Sequence, residues 1–116
     1  MSGVTVIYYT TARGENVIVK FLDSLSETAQ AKVLRIFAHL EEYGLTAIIP
    51  YIKKAIGTDL WEIRILGKDS LRILYIIPTK TTILVLHGFK KKTQKTPPKE
   101  ISIALSRYRE WIMKNS

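Results

Sequence analysis

At 116 residues and 13.3 kDa, with 47% hydrophobic side chains, the chain is long enough to close one core and too short to divide into two, so residues 1–116 are read as a single domain. The absence of cysteine removes disulfides, thiolate metal sites and cysteine nucleophiles, and fits a reducing compartment, read here as the cytoplasm. Eighteen basic residues against 10 acidic ones leave a formal charge of +8, which attracts polyanions, nucleic acid first among them.

The run Val4 to Thr10 is rich in β-branched and aromatic residues and stops before Ala12-Arg13-Gly14, which predicts a strand. Nothing near Met1 joins a basic stretch to a long apolar one, so no secretory signal is expected. From Glu15, Val17, Phe21, Leu22 and Leu25 recur at helical spacing, and the residues from Ser24 to Ser26 break the pattern. Ser26 is a candidate cap for a second helix, with Glu27 in its first turn. Ala29, Val33, Ile36, Phe37 and Leu40 form its apolar stripe, which ends at Gly44. So short a turn predicts a helical hairpin whose apolar face requires a sheet.

Residues 45–59 contain Pro50, Lys53-Lys54 and Gly57 and sustain neither period, which predicts a basic connecting loop. Three strand-like runs follow, 60–66, 71–77 and 82–89, separated by turn-forming residues at 67–70 and 78–81. An antiparallel meander is the simplest arrangement. Beyond the lysine run 90–95, Thr96 and Pro97 open a last helix, with Ile101, Ala104, Leu105, Tyr108 and Ile112 on one face. No apolar run reaches the roughly eighteen residues of a membrane span, so no membrane role is expected.

Strand parity puts Glu62 and Arg64 on one face and Trp61, Ile63 and Ile65 on the other. Arg72, from the neighbouring strand, falls near Arg64. Two guanidiniums on central strands require an anion or a carboxylate, and Glu62 is the nearest candidate. A plain cross-strand ion pair on a wet face would need the same residues. Lys53 with Lys54, and Lys90, Lys91, Lys92 and Lys95, add two further basic groups, and the start of the last helix offers free amides to phosphate. By parity His87 goes with Ile83, Val85 and Phe89, an environment for a core or rim histidine as much as a proton carrier. Phe89, Tyr75 and Trp61 are the aromatic candidates for base stacking, each equally explained by a core role. Paired histidines, a glycine-rich phosphate loop and a nucleophile elbow are all missing from the sequence, so neither metal nor cofactor is expected.

Three segments then combine: Leu60-Trp61-Glu62-Ile63-Arg64-Ile65; Arg72-Ile73-Leu74-Tyr75; and His87-Gly88-Phe89 running through Lys90-Lys91-Lys92 to Lys95-Thr96-Pro97, with Glu100, Ile101 and Ala104 beyond. Together they closely resemble the phage-derived HigB-like branch of the RelE toxin superfamily, over nearly the whole chain. The resemblance implies an α+β, RelE-like fold: a twisted antiparallel sheet of about four strands, an N-terminal helical hairpin and a C-terminal helix, in the order β-α-α-β-β-β-α. It further implies a type II toxin that cuts messenger RNA on the ribosome without metal, by attack of the ribose 2′-hydroxyl. A helix-turn-helix antitoxin would silence it, and operator DNA would be met only through that antitoxin.

On this reading Arg64 and Arg72 bind the phosphate and its transition state, and Lys91 is a further catalytic cation. Glu62, His87 and Lys54 compete for proton transfer. Lys53, Lys54, Phe89, Lys90, Lys92 and Lys95 contact the RNA. Some relatives use a tyrosine near the C-terminal end of the sheet, which this chain lacks; Tyr108 falls in the last helix. The alternatives are a basic module that holds RNA or DNA without cutting it, and a degenerate homologue that serves mainly to bind its antitoxin or as a co-repressor at DNA.

Overall fold

A computed structural model of the chain describes residues 3–44, 52–54, 57–67, 70–91 and 95–115. Strand β1 (Thr5–Tyr8) is followed by helix α1 (Val17–Asp23) and helix α2 (Glu27–Tyr43), then by strands β2 (Ile52–Lys54), β3 (Trp61–Ile65), β4 (Leu71–Thr79) and β5 (Thr82–Lys90), and by helix α3 (Pro98–Lys114). Local chemistry sets the helix ends. The Asn16 side chain accepts from the Val19 amide and caps α1, while the Ser26 hydroxyl accepts from the Ala29 amide and caps α2. Gly44, at φ 82°, stops α2 in a conformation few other residues tolerate. In α3, Pro98 occupies the first turn, where its missing N–H costs nothing.

The five strands lie in the order β1-β5-β4-β3-β2. From β3 to β5 the sheet is the expected antiparallel meander. Two features differ from the sequence reading. Residues 52–54, expected to be loop, pair antiparallel with β3, because its open edge supplies the backbone partners that a three-residue segment cannot advertise by periodicity. At the other edge, β1 runs parallel to β5, so the sheet is mixed and not wholly antiparallel. Alternation of side chains tells which face each residue takes but not which way the strand runs, and the same run satisfies either direction.

Helices cover both faces. On one, Ile18, Leu22, Val33, Phe37 and Leu40 of α1 and α2 pack on Ile63, Ile73, Tyr75, Ile83 and Val85. On the other, Ala104, Ile101 and Leu105 of α3 pack on Leu74, Ile76, Leu84, Leu86 and Phe89. Central strand β4 is therefore buried continuously from Leu71 to Ile76. Pro78 closes β4 where the register with β5 shifts, a position that needs no ladder amide.

A second register shift, between Leu74 and Tyr75, pairs His87 with Leu74 but Val85 with Tyr75, leaving Leu86 as the extra residue. Beyond it the alternation is reversed. Ile83 and Val85 face α1 and α2, whereas Phe89 joins the α3 side, where His87 also finds its partners. The expected common parity of His87 with Ile83 and Val85 therefore fails: sequence counting cannot register a bulge.

Gly88 faces the opposite way, against α1, and a Cβ there would run into the ring of Phe21. Replacing Gly88 with Ala overpacks this contact and is expected to lower stability by about 1–3 kcal/mol. Urea denaturation measures the loss, and Phe21→Leu in the same chain is expected to recover part of it.

Candidate nucleic-acid interface

Two rows of side chains cross the α3 face of the sheet. In the first, Arg64 pairs with Arg72, and Arg72 with Phe89. In the second, Glu62 pairs with Leu74, and Leu74 with His87. The start of α3 contacts the second row through Glu100 and, one residue before the prolines, Thr96. The first row is left as the outer one.

Glu62 and Arg72 are both buried, at 2% and 7% exposure. Arg72 Nε lies 3.0 Å from Glu62 Oε1, as an ion pair without the alignment of a hydrogen bond, and Arg72 Nη1 donates to the Leu71 carbonyl at 2.9 Å. The Thr96 hydroxyl donates to the same Glu62 oxygen at 2.8 Å. Burial holds the Arg72 guanidinium below its ordinary pKa; Glu62 opposes that shift and Arg64 adds to it. Arg64 itself is exposed. One arginine is thus fixed by a carboxylate, and its in-register neighbour presents its charge to solvent.

His87 is held at both ring nitrogens. Nδ1 lies 3.3 Å from Arg107 Nη1 and Nε2 lies 2.7 Å from Glu100 Oε1. A guanidinium only donates, so Nδ1 is the acceptor and the proton of the neutral ring resides on Nε2, facing Glu100. Desolvation, with Arg107 beside the ring, lowers the His87 pKa against the opposing pull of Glu100. Arg107 Nη1 also donates to the Leu86 carbonyl at 2.8 Å, so the same guanidinium closes the bulge and orients the imidazole. Its carbon sits 5.3 Å from the Tyr9 ring, and the Tyr9 hydroxyl donates to Glu110 at 2.9 Å.

The remaining expected residues distribute unevenly. The Lys91 amide donates to the Ser70 carbonyl at 2.8 Å, extending the ladder by one step, and alternation puts Lys91 on the face of Phe89 and Arg72. Lys90, paired with Leu71, falls on the opposite face by the same rule. Lys95 is exposed just before Thr96, and Lys92 lies outside the described residues. Lys53 stands opposite Glu62 in the backbone register of the β2 edge.

Two expectations are corrected. Lys54 Nζ sits 4.6 Å from the centroid of Trp61, whose ring packs with the α1–α2 core, so Lys54 lies on the far side of the sheet from the arginines and is not placed for proton transfer beside them. Phe89 is 7% exposed and its ring stacks on His87 at 5.5 Å, which makes it a wall of the site instead of an open platform for a base. Tyr75 is fully buried, so it offers a base nothing either. Sequence reading missed Thr96, Glu100 and Arg107 as parts of this network. The seven-residue spacing of Glu100 and Arg107 puts both on one face of α3, but only the bulge brings His87 between them. Among the described residues, no three His, Asp or Glu side chains gather as a metal would require.

Sheet, helices and cationic row define a small α+β protein that pairs one arginine with a buried carboxylate and exposes its in-register neighbour. Residues 20–109 match the family described as Phage derived protein Gp49-like (DUF891), from within α1 to within α3, and the chain belongs to that family, a HigB-like member of the RelE toxin superfamily. Membership suggests a toxin of a toxin–antitoxin pair with an antitoxin as partner, and an RNase of the RelE kind. No curated protein matches the chain. None of the described helices is long and apolar enough to cross a membrane.

Glu62→Ala is expected to leave Arg72 buried without its counter-ion and to cost about 3–5 kcal/mol. Arg64→Ala, at an exposed position, is expected to cost no more than about 0.5 kcal/mol, and urea denaturation of the two variants separates them. His87 adds a pH dependence. Its folded pKa lies below the ordinary 6.5, so the unfolded chain takes up the proton first as pH falls. Its contribution is therefore complete above pH 6.5 and lost as pH drops through the folded value. Urea midpoints at pH 7.5 and 5.5 should differ less in His87→Gln than in the parent chain.

Proposed function

We propose that the protein is a toxin of a type II toxin–antitoxin system and acts as a metal-independent endoribonuclease on ribosome-bound messenger RNA. The reading is supported above all by the pairing of exposed Arg64 with carboxylate-fixed Arg72 on the outer row of the α3 face. Family membership supplies the class of activity.

In the proposed reaction the ribose 2′-oxygen attacks the adjacent phosphorus and gives up its proton. The bond to the 5′-oxygen breaks, and that oxygen takes up a proton to leave as a hydroxyl. Negative charge gathers on the non-bridging oxygens between these events, and planar guanidinium forks match two such oxygens at once. Arg64, exposed to solvent, is the fork that reaches the phosphate. Arg72 has Nε in the Glu62 ion pair and Nη1 bonded to the Leu71 carbonyl, so it supplies its charge from a fixed position beside Arg64. Lys91, on the same face, adds positive charge.

Of the three candidates for proton transfer, Glu62 is the one beside the arginines. His87 has both nitrogens engaged and acts by orienting Phe89 and the start of α3. Electrostatic stabilisation by positioned cations therefore contributes most of the rate, with proton transfer secondary. The antitoxin is the partner that would silence the site, and an excess of positive charge on the toxin favours an acidic segment over it.

Induced expression of the parent chain should arrest growth and produce translation-dependent cuts detectable by primer extension. Arg64→Ala is expected to lower cleavage about a hundredfold and to relieve the arrest, with the fold intact. Undiminished cutting in that variant removes Arg64 from the mechanism. Ribosome binding with no cuts from the parent chain favours a non-catalytic binder.

A further inference from the structure

Thr96 stands one residue ahead of Pro97, the N-cap of α3, a helix that has no side-chain cap. Its hydroxyl instead reaches back 34 residues to Glu62 Oε1, at 2.8 Å. That oxygen is the one 3.0 Å from Arg72 Nε. Three distant stretches of chain thus meet on one buried carboxylate oxygen: β3 through Glu62, β4 through Arg72, and the segment leading into α3 through Thr96.

We propose that Thr96 is a positioning residue, which holds Glu62 in the rotamer that fixes the Arg72 guanidinium and ties the entry to α3 to the arginine row. The inference rests on the nuclease reading for its consequence in RNA cleavage, but not for the coupling of Thr96 to Arg72. A buried carboxylate has several lone pairs to satisfy, and an aligned donor on one side restricts where the ion pair on the other can settle. Arg72 Nε and the Thr96 hydroxyl meet the same Glu62 oxygen, at 3.0 Å and 2.8 Å, so the hydroxyl adds a second constraint on how the carboxylate is oriented. The same bond fixes the residue next to Lys95, so that lysine is held near the row it would assist.

The distinction between hydroxyl and methyl makes this testable. Thr96→Val keeps the shape and removes the donor, whereas Thr96→Ser keeps the donor and removes the methyl. In the full ¹⁵N-labelled chain, the assigned Arg72 Nε–H should exchange with water about tenfold faster in Thr96→Val than in the parent, and at close to the parent rate in Thr96→Ser. In a translation-coupled cleavage assay, Thr96→Val should lower kcat/KM about tenfold and Thr96→Ser by no more than about threefold. Should Thr96→Val fail to fold by circular dichroism, Thr96→Ala serves as the donor-free variant. Parent-like exchange and cleavage in the donor-free variant overturn the proposal, and so do equal losses in the Val and Ser variants, which would trace the effect to packing. If the parent chain cuts no RNA the nuclease reading falls, and exchange of the Arg72 proton then decides the role of Thr96 by itself.

Discussion

A glutamate and an arginine are buried together between the sheet and the entry to α3, and the electrostatics of that pair constrain everything around it. Desolvating two charges is costly, and their attraction offsets the cost only where geometry and extra hydrogen bonds are supplied. Here the Leu71 carbonyl takes one arginine donor and the Thr96 hydroxyl serves the carboxylate. A pair of apolar residues would fill the space at lower energetic risk. The ion pair instead leaves a cation held in place on the central strand, with a second, exposed arginine opposite it in register.

The α3 helix is what makes such burial possible. Its apolar side, around Ala104, covers Leu74, Ile76, Leu84 and Leu86, while Glu100 and Arg107 seize His87 from its two sides. These polar contacts depend on the bulge at Leu86. Without the extra residue, His87 and Phe89 would project into the α1–α2 core and the outer row would lose its third member. Arg107 bonds the bulge carbonyl and the imidazole with one nitrogen, so backbone irregularity and side-chain orientation are maintained by the same group.

Charge on this protein therefore has two distinct physical roles. Arg72 is tied by its ion pair with Glu62, which is buried and therefore weakly screened by salt, while Arg107 bonds the Leu86 carbonyl and His87. Arg64 and the exposed lysines present their charge to solvent, where the attraction between such groups and a polyanion weakens as salt rises. The total of +8 alone does not distinguish these roles.

Much of the framework was legible in the amino-acid sequence. The Ser26 cap, the Gly44 stop, the β3–β4–β5 meander and the facing of Glu62 with Arg64 follow from local propensity and from the two-residue and 3.6-residue periods, which act within a few residues of chain. The resemblance carried by the segments from Leu60 to Ala104 likewise placed the chain in its family. Tertiary structure alone decided the rest. The direction of β1, the pairing of the 52–54 edge, the bulge that turns His87 toward α3, and the removal of Lys54 to the opposite face all depend on which edges and surfaces the folded sheet leaves open. So does the bond from Thr96 to Glu62, which joins residues 34 apart and leaves no local trace, because a hydroxyl selects its acceptor by proximity in space and not by position in the chain.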